Sequence, residues 1–168
     1  MKRFAIHVGN NSFHELSGAT LRGCIPDAHL MDAVLTERLG EPVRRVMLDN
    51  STRDQFVQAM RECAEAVTAG EADYVTISLS THGTVVSTND QENFVQALVF
   101  SVANRQGAGL LLDTEFKALL DAIPNGVRVL VWLDACHSRT GTRGMGAVLH
   151  DMRPRSIVNQ DFHRNVSK

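Results

Sequence analysis

Tyr74-Val75-Thr76-Ile77-Ser78-Leu79-Ser80-Thr81-His82-Gly83 and Val127-Arg128-Val129-Leu130-Val131-Trp132-Leu133-Asp134-Ala135-Cys136-His137-Ser138 decide the fold. In each, a run that reads as a buried strand delivers a reactive side chain at its carboxyl end, His82 in the first and Cys136 in the second. Open α/β sheets place their chemistry at the carboxyl ends of parallel strands. A thiol beside an imidazole is the smallest kit for nucleophilic cleavage of an amide.

Working outward, strands and helices alternate. Phe4–Val8 reads as a strand ending in the turn-like Gly9-Asn10-Asn11-Ser12. Cys24–Leu39 carries apolar residues at helical spacing, with Gly40 and Pro42 closing it. Val43–Leu48 is a second strand, and Ser51 or Thr52 can cap a helix running through Phe56, Met60, Cys63 and Val67 to Gly70. The strand at Tyr74 ends at His82. Phe94–Val102 and Leu110–Leu112 read as a hairpin or small β excursion. Thr114 can cap a helix through Phe116, Leu119 and Leu120 that Pro124-Asn125-Gly126 ends. The expectation is an α/β fold, a three-layer α/β/α sandwich with a mainly parallel sheet.

The bulk numbers fit this. The chain has 168 residues, 43% of them hydrophobic and 21% charged, enough for one domain with a core. No apolar run approaches the roughly 20 residues of a membrane span. After the basic start only Phe4-Ala5-Ile6-His7-Val8 follows, too short for a signal-peptide core, so a cytoplasmic location is expected. Three cysteines, Cys24, Cys63 and Cys136, do not make a disulfide framework. The net charge of −2 divides into +4 from His137 to Lys168 and −6 before it. That basic tail carries no recognisable nucleic-acid motif, and no nucleic-acid partner is expected. Residues 1–138 are read as the catalytic domain and 139–168 as a basic loop or tail.

In chemical terms, His82 can take the Cys136 thiol proton and later protonate the leaving amine. Gly83 removes a side chain beside His82, so its N–H and that of Cys136 can form an oxyanion hole. His7 reads as a core or edge residue, Cys63 as core, and Cys24 as packed beneath the site. The sparse, unspaced His and Cys residues exclude a zinc site.

The flanks of these residues resemble the large, p20-type subunit of caspase-like cysteine peptidases (clan CD, peptidase C14), and metacaspases more closely than animal caspases. Metacaspases carry an S-G-H-G-like segment, here Ser80-Thr81-His82-Gly83 with Thr81 for the first Gly. They carry D-x-C-H-S-G, here Asp134-Ala135-Cys136-His137-Ser138 with Arg139 for the Gly. They carry L-x-G-C-x-N-D-A near the start, here Leu21-Arg22-Gly23-Cys24-Ile25-Pro26-Asp27-Ala28 with Pro26 for the Asn. The resemblance covers roughly residues 3 to 140. It implies a caspase-like fold and a cysteine endopeptidase with a Cys136–His82 dyad. It places Asp27 and Asp134 in the pocket for the residue before the scissile bond. Two carboxylates there favour a cation, hence cleavage after Arg or Lys.

Many metacaspases bind calcium through acidic residues after the His. Here Thr88-Asn89-Asp90-Gln91-Glu92-Asn93-Phe94-Val95-Gln96 offers amides and Val95 instead of several carboxylates, and Arg143 stands near a later expected Asp. Calcium prefers six to eight oxygens, several charged, so weak or absent calcium dependence and no other cofactor are expected. The family analogy further implies a zymogen switched on by cleavage in the region after Ser138, and, as partners, basic-residue peptide substrates and a p10-like small subunit or an activating protease. Two rival readings are a catalytically inactive caspase-like scaffold and an α/β module binding anions through its basic tail.

Overall fold

The computed structural model describes residues 1–16, 18–87, 94–104 and 107–135. A parallel sheet holds the strands β1 (Arg3–Gly9), β2 (Arg44–Asp49), β3 (Tyr74–Ser80) and β7 (Arg128–Asp134) in the order β2-β1-β3-β7. Helix α1 (Cys24–Leu39) connects β1 to β2, and α2 (Arg53–Thr68) connects β2 to β3. The chain steps outward from β1 to β2 and then back across β1 to β3. Right-handed crossovers therefore put α1 and α2 on opposite faces. Between β3 and β7 lie an antiparallel sheet, β4 (His82–Ser87), β5 (Phe94–Val99) and β6 (Leu110–Leu112), and then α3 (Asp113–Asp121). The expected three-layer α/β arrangement is present.

Alternation along the strands gives the layers different chemistry. Phe4, Ile6 and Val8 of β1 join Val75, Ile77 and Leu79 of β3 in the main core with Phe56, Met60 and Cys63 of α2 and Phe116 of α3. The opposite face, under α1, is polar though buried. Arg3 is 1% exposed; its guanidinium donates to the Gly40 carbonyl at 2.8 Å, to Thr36 at 3.2 Å and to Thr76 at 3.3 Å. His7 Nδ1 lies 2.7 Å from Ser78 Oγ, and its Nε2 sits 3.4 Å from Asp32 without hydrogen-bond alignment. Burial, opposed by Asp32, pushes the His7 pKa down to about 4, so the ring is neutral at pH 7. Ser78, His7 and Asp32 follow the order of a hydrolytic triad, but Ser78 and His7 are buried in the layer that α1 covers.

Several local expectations are refined. Thr52 caps α2: its hydroxyl accepts the Gln55 N–H at 3.2 Å, and Gln55 returns a bond to the Thr52 N–H at 2.8 Å. Thr114 is not a cap. The helix begins at Asp113 because Glu115 reaches back to accept the Leu112 N–H at 2.9 Å. His82 does not end β3 but opens β4 after the single intervening residue Thr81.

Candidate functional site

The strand order reverses between β1 and β3, since β1 leads to β2 on one side and β3 stands on the other. The carboxyl ends at such a switch point form a crevice. Gly9 ends β1 there, and a Cβ at this position would stand 2.5 Å from the Cys24 carbonyl oxygen. Only glycine lets the start of α1 come this close to the sheet. The N-cap of α1, Gly23, has no side chain to give; Asn11 substitutes, its Oδ1 accepting the Cys24 N–H at 2.9 Å. Pro26 is tolerated in this first turn, where its missing N–H has no intrahelical acceptor.

The consequence falls on Asp27, one residue further. Ser80 Oγ, at the end of β3, lies 3.4 Å from Asp27 Oδ2 and 3.4 Å from Asp134 Oδ2. The two acids proposed for one pocket thus converge on one hydroxyl, although one comes from α1 and the other from β7. The backbone supports this: the Thr81 N–H donates to the Asp134 carbonyl at 3.2 Å, and the Asn10 N–H to the Ser80 carbonyl at 3.0 Å. A guanidinium or ammonium seated here has two carboxylates and a hydroxyl within reach.

His82 lies two residues beyond Ser80 and is 4% exposed. Phe13 covers its ring, with centroids 4.8 Å apart. Its Nε2 is 2.6 Å from the Ala19 carbonyl oxygen. A carbonyl only accepts, so Nε2 carries the proton and Nδ1 is left with the lone pair. Nδ1 is buried and has no hydrogen-bond partner among the described residues. The ring is therefore held in the tautomer a general base requires, with its basic nitrogen withheld from water. Thr81, the departure before His82, is fully buried, and its hydroxyl donates to the Val99 carbonyl at 2.5 Å, tying the two sheets together. Gly83 stands opposite Leu98 in the β4–β5 ladder.

Cys136, His137 and Ser138 lie outside the described residues, as do 88–93 of the acidic stretch and the whole 139–168 tail. From Tyr74↔Arg128 to Ser80↔Asp134, each β3 residue pairs with the β7 residue 54 positions later. Along the sequence His82 and Cys136 are also 54 positions apart. The other two cysteines are fully buried, and burial pushes the Cys63 thiol up to about 12. Among the described residues no group of three His, Cys, Asp or Glu could hold a metal ion. None of their helices is long and apolar enough to cross a membrane.

Three contributors to this site have no signature in the sequence reading: Ser80 between the acids, the Ala19 carbonyl on His82, and Asn11 on the start of α1. For Ser80 the available signal is its phase on β3, shared with Thr76 and Ser78.

The caspase-domain family Peptidase_C14 matches residues 2–164. The chain is 30% identical over 148 residues to metacaspase-4 of Arabidopsis thaliana, covering 82% of this chain and 34% of that protein. It is 30% identical over 151 residues to metacaspase-1 of Kluyveromyces lactis, covering 83% and 34%. It therefore spans about a third of the length of these relatives. Its fold is similar to the crystal structure of caspase-1 from Spodoptera frugiperda, with a TM-score of 0.61 at 18% identity, covering 92% of this chain and 55% of that one. Matched along nearly its whole length, the chain belongs to the caspase-domain family of peptidases, C14, with metacaspases among its relatives.

Proposed function

We propose that this chain is the large-subunit part of a cysteine endopeptidase that cleaves peptide bonds after Arg or Lys. The observation that carries the reading is the convergence of Asp27 and Asp134 on Ser80, two residues from a histidine with a fixed tautomer. The pocket acids hold the basic side chain of the substrate. His82 Nδ1 accepts the Cys136 thiol proton, and the thiolate attacks the carbonyl carbon. The N–H groups of Gly83 and Cys136 receive the developing oxyanion. The C–N bond breaks as His82 returns the proton to the leaving amine, and water then hydrolyses the thioester.

As in other members of the family, the enzyme is a zymogen, cut after an arginine beyond Ser138, with Arg139, Arg143, Arg153, Arg155 and Arg164 as the available sites. An activating protease and a p10-like small subunit are its family-type partners, no cofactor is required, and it works in the cytoplasm in regulated proteolysis, defence or cell death. Fluorogenic peptides ending in Arg, Lys or Asp, assayed with and without calcium, test this against Cys136→Ala and His82→Ala. Turnover of the Arg and Lys peptides that both substitutions abolish is the expected result. Preferred turnover of the Asp peptide, or activity surviving Cys136→Ala, overturns it. No turnover, together with no labelling of Cys136 by an Arg-directed covalent inhibitor, identifies an inactive scaffold instead.

A further inference from the structure

The connection from β1 to α1 meets His82 twice. Its Ala19 carbonyl accepts the Nε2 proton at 2.6 Å, and its Phe13 ring lies against the imidazole, with centroids 4.8 Å apart and planes at 47°. Phe13 is 6% exposed, although it belongs to no strand or helix. Its place is fixed from both sides. Before it, the N–H groups of Asn11 and Ser12 donate to Asn50 Oδ1 at 2.8 and 2.9 Å. Asn50 itself has a left-handed backbone, φ 50°, just after β2. After it, the His14 N–H donates to the Ser101 carbonyl at 3.0 Å, and the Leu16 N–H to the carbonyl of Phe13 at 3.2 Å. Leu16, Leu21, Val86 and Val99 share its core.

One hydrogen bond leaves a ring free to turn. The last torsion of a histidine is broad, and a turn that takes Nε2 off Ala19 lets the proton settle on either nitrogen. A turning ring must also sweep the space beside its face, and there Phe13 stands. We propose that Phe13 is a positioning residue for His82. It bars the imidazole from turning, keeps Nε2 on Ala19 and so keeps Nδ1 as the proton acceptor. A phenyl ring suits the task because it is flat and stiff. A methionine fills similar space but yields when pushed. This rests on the reading of His82 as the general base and deepens it: Phe13 acts through His82, so its effect falls on proton transfer and not on binding of the basic side chain.

The full-length chain with isotope-labelled histidines tests this at about pH 8, where imidazole is ordinarily neutral. Two-bond proton–nitrogen spectra separate the protonated ring nitrogen from the bare one, and His82→Gln identifies the His82 signals. Wild type is expected to show a single tautomer with the proton on Nε2. Phe13→Met is expected to average the two nitrogens, and Phe13→Tyr, which keeps the ring, to retain the single tautomer. Phe13→Leu takes the place of Phe13→Met if that chain does not fold. Leu110→Ala, in the same core, should lower the melting temperature and leave the tautomer unchanged. With Arg peptides, Phe13→Met is expected to lower kcat about tenfold at constant KM, as loss of a transition-state interaction does. A single Nε2–H tautomer in the folded Met or Leu variant overturns the proposal. So does averaging in wild type or in Leu110→Ala, or a rise in KM at unchanged kcat. If wild type turns over no peptide, the peptidase reading fails, and the spectra still decide whether Phe13 holds the ring.

Discussion

Along β3, Val75, Ile77 and Leu79 enter the layer built with α2 and α3, while Thr76, Ser78 and Ser80 enter the layer under α1. Both sets are buried nearly completely. The first layer is cohesive through apolar contact alone and tolerates any partner of suitable shape. The second is held by directed bonds from Arg3 and Ser80 to α1 and its C-cap, which fix where that helix sits. A helix resting on oil can slide; one resting on hydrogen bonds has one position. Since α1 carries Asp27, the polar layer is where the fold secures its pocket.

This contrast predicts unequal responses to substitution. The largest belongs to the apolar layer: Ile77→Ala should lower stability by about 4 kcal/mol, read from urea unfolding. Next comes acid. His7 titrates at about 4 in the fold against an ordinary 6.5. The unfolded chain therefore binds the proton first; the stability held above pH 6.5 is lost as pH falls toward 4, by about 3 kcal/mol. His7→Asn should flatten that part of the pH dependence, and an unchanged slope would shift the cause to other groups. Ser78→Ala, adjacent to Ile77 but facing α1, leaves His7 Nδ1 unpaired and should cost about 2 kcal/mol. If it cost as much as Ile77→Ala, the two layers would not differ as described. The smallest change is expected for Asp27→Asn, within about 1 kcal/mol of wild type in stability. In a peptidase of the proposed specificity it should nevertheless lower kcat/KM for Arg peptides at least about tenfold, the loss of one charge-assisted contact.

The same contrast explains what could be read in advance. Helix α1 has the boundaries that periodicity and end signals give, Cys24–Leu39, and strand β3 begins at Tyr74 as read. Period and capping are local properties, and Thr52 caps as its chemistry predicts. Asp27 and Asp134 were identified as one pocket through family resemblance, not from spacing. What escaped reading is contact between distant main-chain and side-chain atoms. The Ala19 carbonyl exists at every residue, so nothing in the sequence marks it as the acceptor for His82. Asn11 looked like turn punctuation, yet it replaces a missing cap on α1. The strand beginning at His82 was hidden because Gly83 resembles a turn residue and the partner, β5, comes after an intervening segment.

The parallel order β2-β1-β3-β7 also imposes a schedule. Asp27 and Ser80 are both synthesised well before Asp134, which ends the last strand among the described residues. A nascent chain released only as far as α3 can assemble β1, β2 and β3 with their helices, but holds one of the two acids. Parallel pairing across so long a connection is slow to form. Asp27 and Asp134 therefore meet at Ser80 only once β7 has docked.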